Sequence, residues 1–235
     1  MTVLVEGAGV PLAVAERGEG PAVLLIHGIG GDAEALAPLA AQLADRARVL
    51  AYDRRGYGAS GAPEPYGATT VNEQAEDAAA ILTACDAAPA IVFGDGFGAL
   101  VALDLLVRRA DTVSGAVLLD PPLFAFVPEA TEALSAERQQ LEEALREGGP
   151  ELAVERLFGP GARPAHRAVF ADLAGLASWP VSRATLRAID APVAVLISAD
   201  APPHVVAAAD ALAGLLSAAR REHGGDPAAA LASLL

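Results

Sequence analysis

Lysine is absent from this 235-residue chain, and all sixteen of its basic side chains are arginine. That removes a Schiff-base lysine, the lysine of a phosphate-binding loop and a lysine general base in one step. Cysteine is nearly absent as well, and the single thiol of Cys85 cannot close an internal disulfide. No cluster of cysteine and histidine has the spacing of a zinc site, so neither a metal nor a cofactor is expected. No apolar run reaches the roughly eighteen residues that a membrane helix needs. The opening MTVLVEGAGV lacks the basic start and long apolar stretch of a signal peptide, and a cytoplasmic location is expected. There is no linker rich in glycine, serine or proline, and 53% of the residues are hydrophobic, enough for one well-filled core. Positive charge is outnumbered: the formal net charge of -14 repels phosphate backbones and anionic lipid, which leaves a small molecule as the expected partner. Nothing in the sequence sets an oligomeric state.

What is present is an alternation of short apolar runs with longer segments of helical period, the pattern of a mainly parallel sheet covered on both faces by helices. Residues 2–10 and 11–17 read as strands, and PAVLLIH (21–27) as a buried strand leading into a glycine-rich loop, Gly28 to Gly31. A helix over 33–46 has Asp32 at its N-cap position, and strand 48–52 then runs into DRRGYGAS. Helix 71–86 precedes the buried strand 90–93, which enters the turn Gly94-Asp95-Gly96-Phe97-Gly98 and a helix to about Arg109. After strand 115–119 the style changes at Pro121-Pro122, and 121–188 reads as helical and charged. Strand 193–197, a helix over 204–218 and a last helix from Pro227 complete the chain, with hardly any strand between them.

Three motifs stand in order, each after a strand: His27-Gly28-Ile29-Gly30-Gly31, Asp53-Arg54-Arg55-Gly56-Tyr57-Gly58-Ala59-Ser60, and the strand, sharp turn and helix around Gly96. Together they resemble the α/β-hydrolase family, in its esterase- and lipase-like branch, over nearly the whole chain. The glycines of GDGFGA do not have the G-x-G-x-x-G spacing of a dinucleotide site and follow the wrong strand for one. The resemblance implies an α/β fold with a mainly parallel eight-stranded sheet, helices on both faces, a core of residues 1–120 and 189–235, and a helical lid inserted at 121–188.

The resemblance also implies roles for particular residues. Gly96 falls at the apex where the family carries its nucleophile, and it has no hydroxyl, thiol or carboxylate. A register shifted by one would make Asp95 the nucleophile, but would put Phe93 and Phe97 at positions where small residues are needed. Asp95 therefore reads as a support residue or a helix cap. The family's acid corresponds to Asp200, although the usual spacing would fall on Ala201, or to Asp120 at the tip of the preceding strand. His223, in the loop before the last helix, matches the catalytic histidine. His27 begins the oxyanion loop and orders backbone, and the N–H groups of Ile29 and Phe97 correspond to the oxyanion hole.

Three readings of function follow. The first is an enzyme acting on an apolar or carbonyl-containing small molecule without a serine acyl-enzyme, by hydrolysis, elimination or cyclisation, with His223 as candidate base. The second is a non-catalytic relative that binds a ligand or partner. The third is an esterase-like serine hydrolase whose nucleophile has been replaced by Gly96.

Overall fold

The computed structural model describes residues 2–176 and 178–235. Eight strands form one sheet in the order β1-β2-β4-β3-β5-β6-β7-β8. The ranges are β1 (Thr2–Glu6), β2 (Pro11–Arg17), β3 (Ala22–Ile26), β4 (Arg48–Tyr52), β5 (Ala90–Asp95), β6 (Val113–Leu119), β7 (Val193–Ile197) and β8 (Ala219–His223). The hairpin β1–β2 and the β2–β4 pair are antiparallel, and every other pairing is parallel.

The central strands are apolar on both sides because both faces are covered. In β3, Leu24 and Ile26 enter one core layer while Val23 and Leu25 enter the other, the period-2 alternation of a strand buried on both faces. Helices α1 (Ala37–Leu43) and α8 (Pro227–Ala232) pack together on one face. Helices α2 (Val71–Ala84), α3 (Phe97–Arg108) and α7 (Pro203–Ala213) cover the other. Thr70 caps α2 by accepting a hydrogen bond from the Glu73 N–H, and Asp226 caps α8 through the Ala228 N–H.

Between β6 and β7 the described residues hold helices and no strand: α4 (Ala130–Phe158), α5 (His166–Leu176) and α6 (Arg183–Arg187), with 3-10 turns at Phe124–Phe126 and Pro160–Ala165. Helix α4 is broken at Gly148 and Gly149, where the φ angles are -151° and 76° and Pro150 follows. Its first half lies largely exposed. Among the described residues no helix is long and apolar enough to cross a membrane.

Three segments depart from the sequence reading, the first being β1, which ends at Glu6 and not at residue 10. Helix α7 ends at Ala213, five residues before the expected 218, and the freed chain forms β8, a full strand paired residue for residue with β7 from Val193↔Ala219 to Ile197↔His223. The strand was hidden because Arg220, Arg221 and Glu222 have no apolar alternation; as an edge strand it is held by its ladder to β7. The first helix is also shorter than 33–46, a 3-10 turn at Glu34–Leu36 followed by α1, with Asp32 accepting from the Ala35 N–H.

The strand order places the site. From β3 the chain moves to β4 on one side and then crosses to β5 on the other, so the loops leaving β3 and β5 diverge and open a crevice at their C-terminal ends.

Candidate functional site

The turn from β5 into α3 has its apex at Gly96, with φ 50° and ψ -114°, outside the regions that side-chain-bearing residues favour. The Gly96 N–H donates to the Leu119 carbonyl at 2.9 Å, and its own carbonyl accepts from the Ala99 N–H at 3.0 Å. The strained residue is thus Gly96 and not Asp95. The flanking glycines are dictated by space: a Cβ on Gly94 would lie 2.3 Å from the Gly98 carbonyl oxygen, and one on Gly98 would lie 2.3 Å from that of Ile26. At Gly96 the situation is reversed. Its missing Cβ would find only the Gly28 Cα, at 4.0 Å.

Gly28 belongs to the loop after β3, which is fixed from below. The His27 Nδ1–H donates to the Gly28 carbonyl at 2.8 Å, and Nε2 accepts from the Arg54 N–H at 2.9 Å, so both ring nitrogens are engaged and the ring is neutral. Burial, reinforced by the Arg54 charge, pushes the His27 pKa well down. His27 therefore orders backbone. The Arg54 guanidinium holds the same loop from the other side, donating through Nε to the His27 carbonyl and through Nη2 to the Gly28 carbonyl, each at 2.9 Å.

Arg54 is itself fully buried and is neutralised by Asp172 of α5, at 2.7 Å and 3.1 Å. Burial works against the guanidinium charge, but the charge and hydrogen bond of Asp172 together with Tyr57 and Tyr52 outweigh it and the Arg54 pKa is raised. Gln74 donates to Asp172 Oδ1 at 2.7 Å and Tyr57 to Oδ2 at 2.6 Å, so the carboxylate is saturated. The sequence reading missed this cluster. Its only trace was an acid among Ala168, Val169 and Ala171 on a buried helix face.

Asp120, the residue after β6, has φ 46° and turns its carboxylate onto the end of β7: Oδ1 accepts from the Ser198 N–H at 2.9 Å and Oδ2 from the Ser198 hydroxyl. Asp200 lies two residues further along and is exposed. His223 ends β8 opposite Ile197, also exposed, and its imidazole forms no hydrogen bond with either aspartate among the described residues. Asp95 neither caps α3, whose N-cap is Gly96, nor accepts a hydrogen bond among the described residues. Burial first, and then the nearby Asp120 charge, push its pKa up to about 6, while Arg54 acts in the opposite direction. The N–H groups of Ile29 and Phe97 are likewise unbonded within the described chain. The strand ends thus gather the Gly28 loop, Asp95-Gly96, Asp120 with Ser198, and His223 along one edge, while Asp200 faces solvent.

Between α3 and the helical segment 121–188 lies a cavity of about 720 Å³, walled by Leu100, Leu123, Phe124, Leu141, Phe158 and Trp179 among others. Leu100 is one helical turn beyond Gly96. Phe158 touches the Gly30 position, where a Cβ would come within 2.9 Å of it, so the cavity borders the loop after β3. Trp179 is tethered to the core through its indole N–H, which donates to Asp104 of α3 at 2.9 Å.

The sequence profile of the family described as alpha/beta hydrolase fold matches residues 21–159. The chain belongs to the α/β-hydrolase family. It is 37% identical over 122 residues to an uncharacterized hydrolase, YraK, of Bacillus subtilis, an alignment covering 52% of this chain and 44% of the relative. It is 34% identical over 128 residues to a 2-(acetamidomethylene)succinate hydrolase of Mesorhizobium japonicum, covering 54% and 44%. The alignments thus span less than half the length of these curated relatives. A solved α/β hydrolase from Sphaerobacter thermophilus matches with a TM-score of 0.72 and 27% identity, over 95% of this chain and 91% of that one.

The chain thus holds a largely apolar chamber beside α3, and its strand ends carry two unbonded backbone N–H groups and one carboxyl without a hydrogen bond among the described residues. Backbone donors of this kind can stabilise a polarised carbonyl oxygen, and a carboxyl can exchange a proton with water. Among the described residues no group of three or more histidine, cysteine, aspartate or glutamate side chains is placed to hold a metal ion.

Proposed function

We propose that the chain is an enzyme acting on a small molecule with a carbonyl group and a largely apolar body, without a serine acyl-enzyme. The observation that supports this best is the Gly96 turn. It keeps a φ of 50° and leaves open space beside the Gly28 loop, with the N–H groups of Ile29 and Phe97 free on either side. In this reading those two N–H groups form an oxyanion hole, the second at the N-terminus of α3, where the helix dipole favours negative charge. The helical segment 121–188 acts as the lid that closes the apolar chamber over the substrate. The curated relatives named as hydrolases, from Bacillus subtilis and Mesorhizobium japonicum, are consistent with water as the second reactant.

A second reading, a binding protein without chemistry, is favoured by His223, which is exposed and unbonded, and by Asp120, both of whose oxygens are occupied by Ser198. Turnover of p-nitrophenyl esters, aryl esters and enol lactones separates the two. The enzyme reading expects measurable hydrolysis and no fluorophosphonate adduct on the parent, since the apex at Gly96 carries no hydroxyl. It expects Gly96→Ser to acquire both a stoichiometric adduct and esterase activity higher by on the order of 10²-fold or more, because a hydroxyl would then face an existing hole. A parent that turns over none of these substrates, with a folded Gly96→Ser protein equally inert, establishes the binding reading instead.

A further inference from the structure

We propose that Asp95 is the general base of this site, taking a proton from a water molecule held in the space beside Gly96, and that the substrates are activated esters or lactones with a phenol- or enol-type leaving group. This rests on the enzyme reading above and names its proton acceptor.

Elimination among the titratable groups leads to it. His27 has both nitrogens engaged and is neutral. His223 is exposed and has no acid partner among the described residues, His204 is paired with Glu137 at 3.1 Å and packed against Phe124, and His166 stands at the start of α5 rather than at the strand ends. The other sequestered acids near the strand ends are all bonded. Asp53 accepts from the N–H groups of Ala33 and Ala59, Asp120 from Ser198, Asp77 from Arg55 and the Ala8 N–H, and Asp172 from Arg54, Gln74 and Tyr57. In this set only the Asp95 carboxyl carries no hydrogen bond among the described residues.

Its carboxylate also borders the right space. A Cβ on Gly28 would lie 3.3 Å from Asp95 Oδ2, and the Gly28 Cα lies 4.0 Å from where the Gly96 Cβ would be, so the carboxylate and the gap left by the absent side chain flank the same glycine. A water there has a carboxylate acceptor on one side and backbone polar groups on the other. Two charged groups bear on Asp95: Asp120 from the end of β6, and Arg54 from the loop after β4, itself neutralised by Asp172. Burial and Asp120 prevail over Arg54, and the pKa of about 6 suits a base working near neutrality.

The step balances with water as the only co-reactant. The water oxygen bonds to the carbonyl carbon as its proton passes to Asp95, and the carbonyl π pair moves onto the oxygen facing the N–H groups of Ile29 and Phe97. Collapse re-forms the carbonyl and breaks the bond to the leaving oxygen, which takes the proton back from Asp95. The products are a carboxylic acid and a phenol or enol. With no covalent intermediate and a weak base, only a leaving group more acidic than an ordinary alcohol departs readily, which sets the substrate class.

The test is the pH dependence of p-nitrophenyl acetate and phenyl acetate hydrolysis by the parent, Asp95→Ala and His223→Ala. Alanine is used because asparagine before Gly96 would revert to aspartate by deamidation. The parent kcat/KM is expected to rise with pH to a plateau with a midpoint near 6, and Asp95→Ala to lose about 10²- to 10⁴-fold in kcat together with that midpoint. A folded Asp95→Ala protein with the parental rate and profile, while His223→Ala loses both, overturns the proposal and leaves the enzyme reading standing. A parent without turnover overturns the enzyme reading itself and Asp95 with it.

Discussion

Replacing Asp172 by alanine tests whether the helical insertion is fastened to the loop after β3 as the structure indicates. The substitution strips four hydrogen bonds from one carboxylate: two from Arg54 at 2.7 and 3.1 Å, one from Gln74 at 2.7 Å and one from Tyr57 at 2.6 Å. It also leaves a guanidinium with no exposed surface and no counter-charge. Removing one partner of a buried ion pair costs about 3–5 kcal/mol, because the remaining charge can neither be hydrated nor be neutralised. Against a domain stability of about 5–15 kcal/mol that is a large fraction, and in a chain of this size each kcal/mol shifts Tm by about 2–4 °C. The expected fall in Tm is therefore about 6–20 °C, accompanied by faster proteolysis within 130–150, where α4 is exposed and broken at Gly148-Gly149. Pairing Asp172→Leu with Arg54→Met removes both charges, and the double variant should be destabilised by less than the sum of the two single changes. Urea titrations of the four proteins supply the cycle. An Asp172→Ala protein within about 1 kcal/mol of the parent, a small change by the usual standard for point variants, would refute the reasoning. It would mean that Arg54 is satisfied by water and that α5 is not locked to the Gly28 loop.

Two further outcomes follow from the same geometry. Gly94→Ala should be severely destabilised or insoluble, because its Cβ meets backbone oxygen at 2.3 Å and neither partner can rotate away; a soluble protein with the parental Tm would show that the turn can open to admit a side chain. Asp95 gives a signed pH effect: its folded pKa, about 6, lies above the ordinary 3.8, so the folded state binds the extra proton and the parent loses stability as pH rises from about 4 through 6. Urea titrations at pH 4 and pH 7 should therefore show the stability of Asp95→Ala improving relative to the parent by up to about 3 kcal/mol on going to pH 7. A difference that does not change with pH would mean that Asp95 is hydrated.

The sequence disclosed the parts of the fold that rest on local composition. Strands β3, β5 and β7 are unbroken apolar runs because both of their faces are covered, and the turn at Gly96 was visible in its glycine flanks, which the contacts of Gly94 and Gly98 explain. Strand β8 was not legible. ARREH has no apolar alternation, and the strand exists because β7 offers it a ladder and Asp210 of α7 takes Arg221. The Arg54 cluster was hidden for a related reason: Asp172 lies 118 residues from Arg54, and neither residue announces a partner at that distance. Asp95 was expected to act through hydrogen bonds or as a cap, the ordinary fate of a turn aspartate. Its isolation depends on Gly28, the end of β6 and the burial they impose together, none of which is a local property.

The strain of the turn, taken apart from the open space and the free N–H groups beside it, says little about chemistry. Gly94 and Gly98 are forced by contacts with each other and with the Ile26 carbonyl, so the elbow is part of how α3 seats on β3 and β5, and a chain that had lost all activity would still need it. Backbone held in a sparsely populated region persists wherever the surroundings over-determine it, and here the sheet does so. The informative features are those that weaken the fold without helping to pack it. An acid kept largely from water with no donor is one, and two backbone N–H groups left without acceptors at the same edge are another; each lowers stability and neither fills space. Asp53, Asp77, Asp120 and Asp172 are all hydrogen-bonded, which shows that this sequence can satisfy such groups when only structure is at stake. Tyr52 Oη and His166 Nδ1 are also buried without partners, so it is the grouping of an acid without a donor and two free N–H groups at the same strand ends, as a site for a polarised carbonyl requires, that weighs towards chemistry more than the strain of the elbow does.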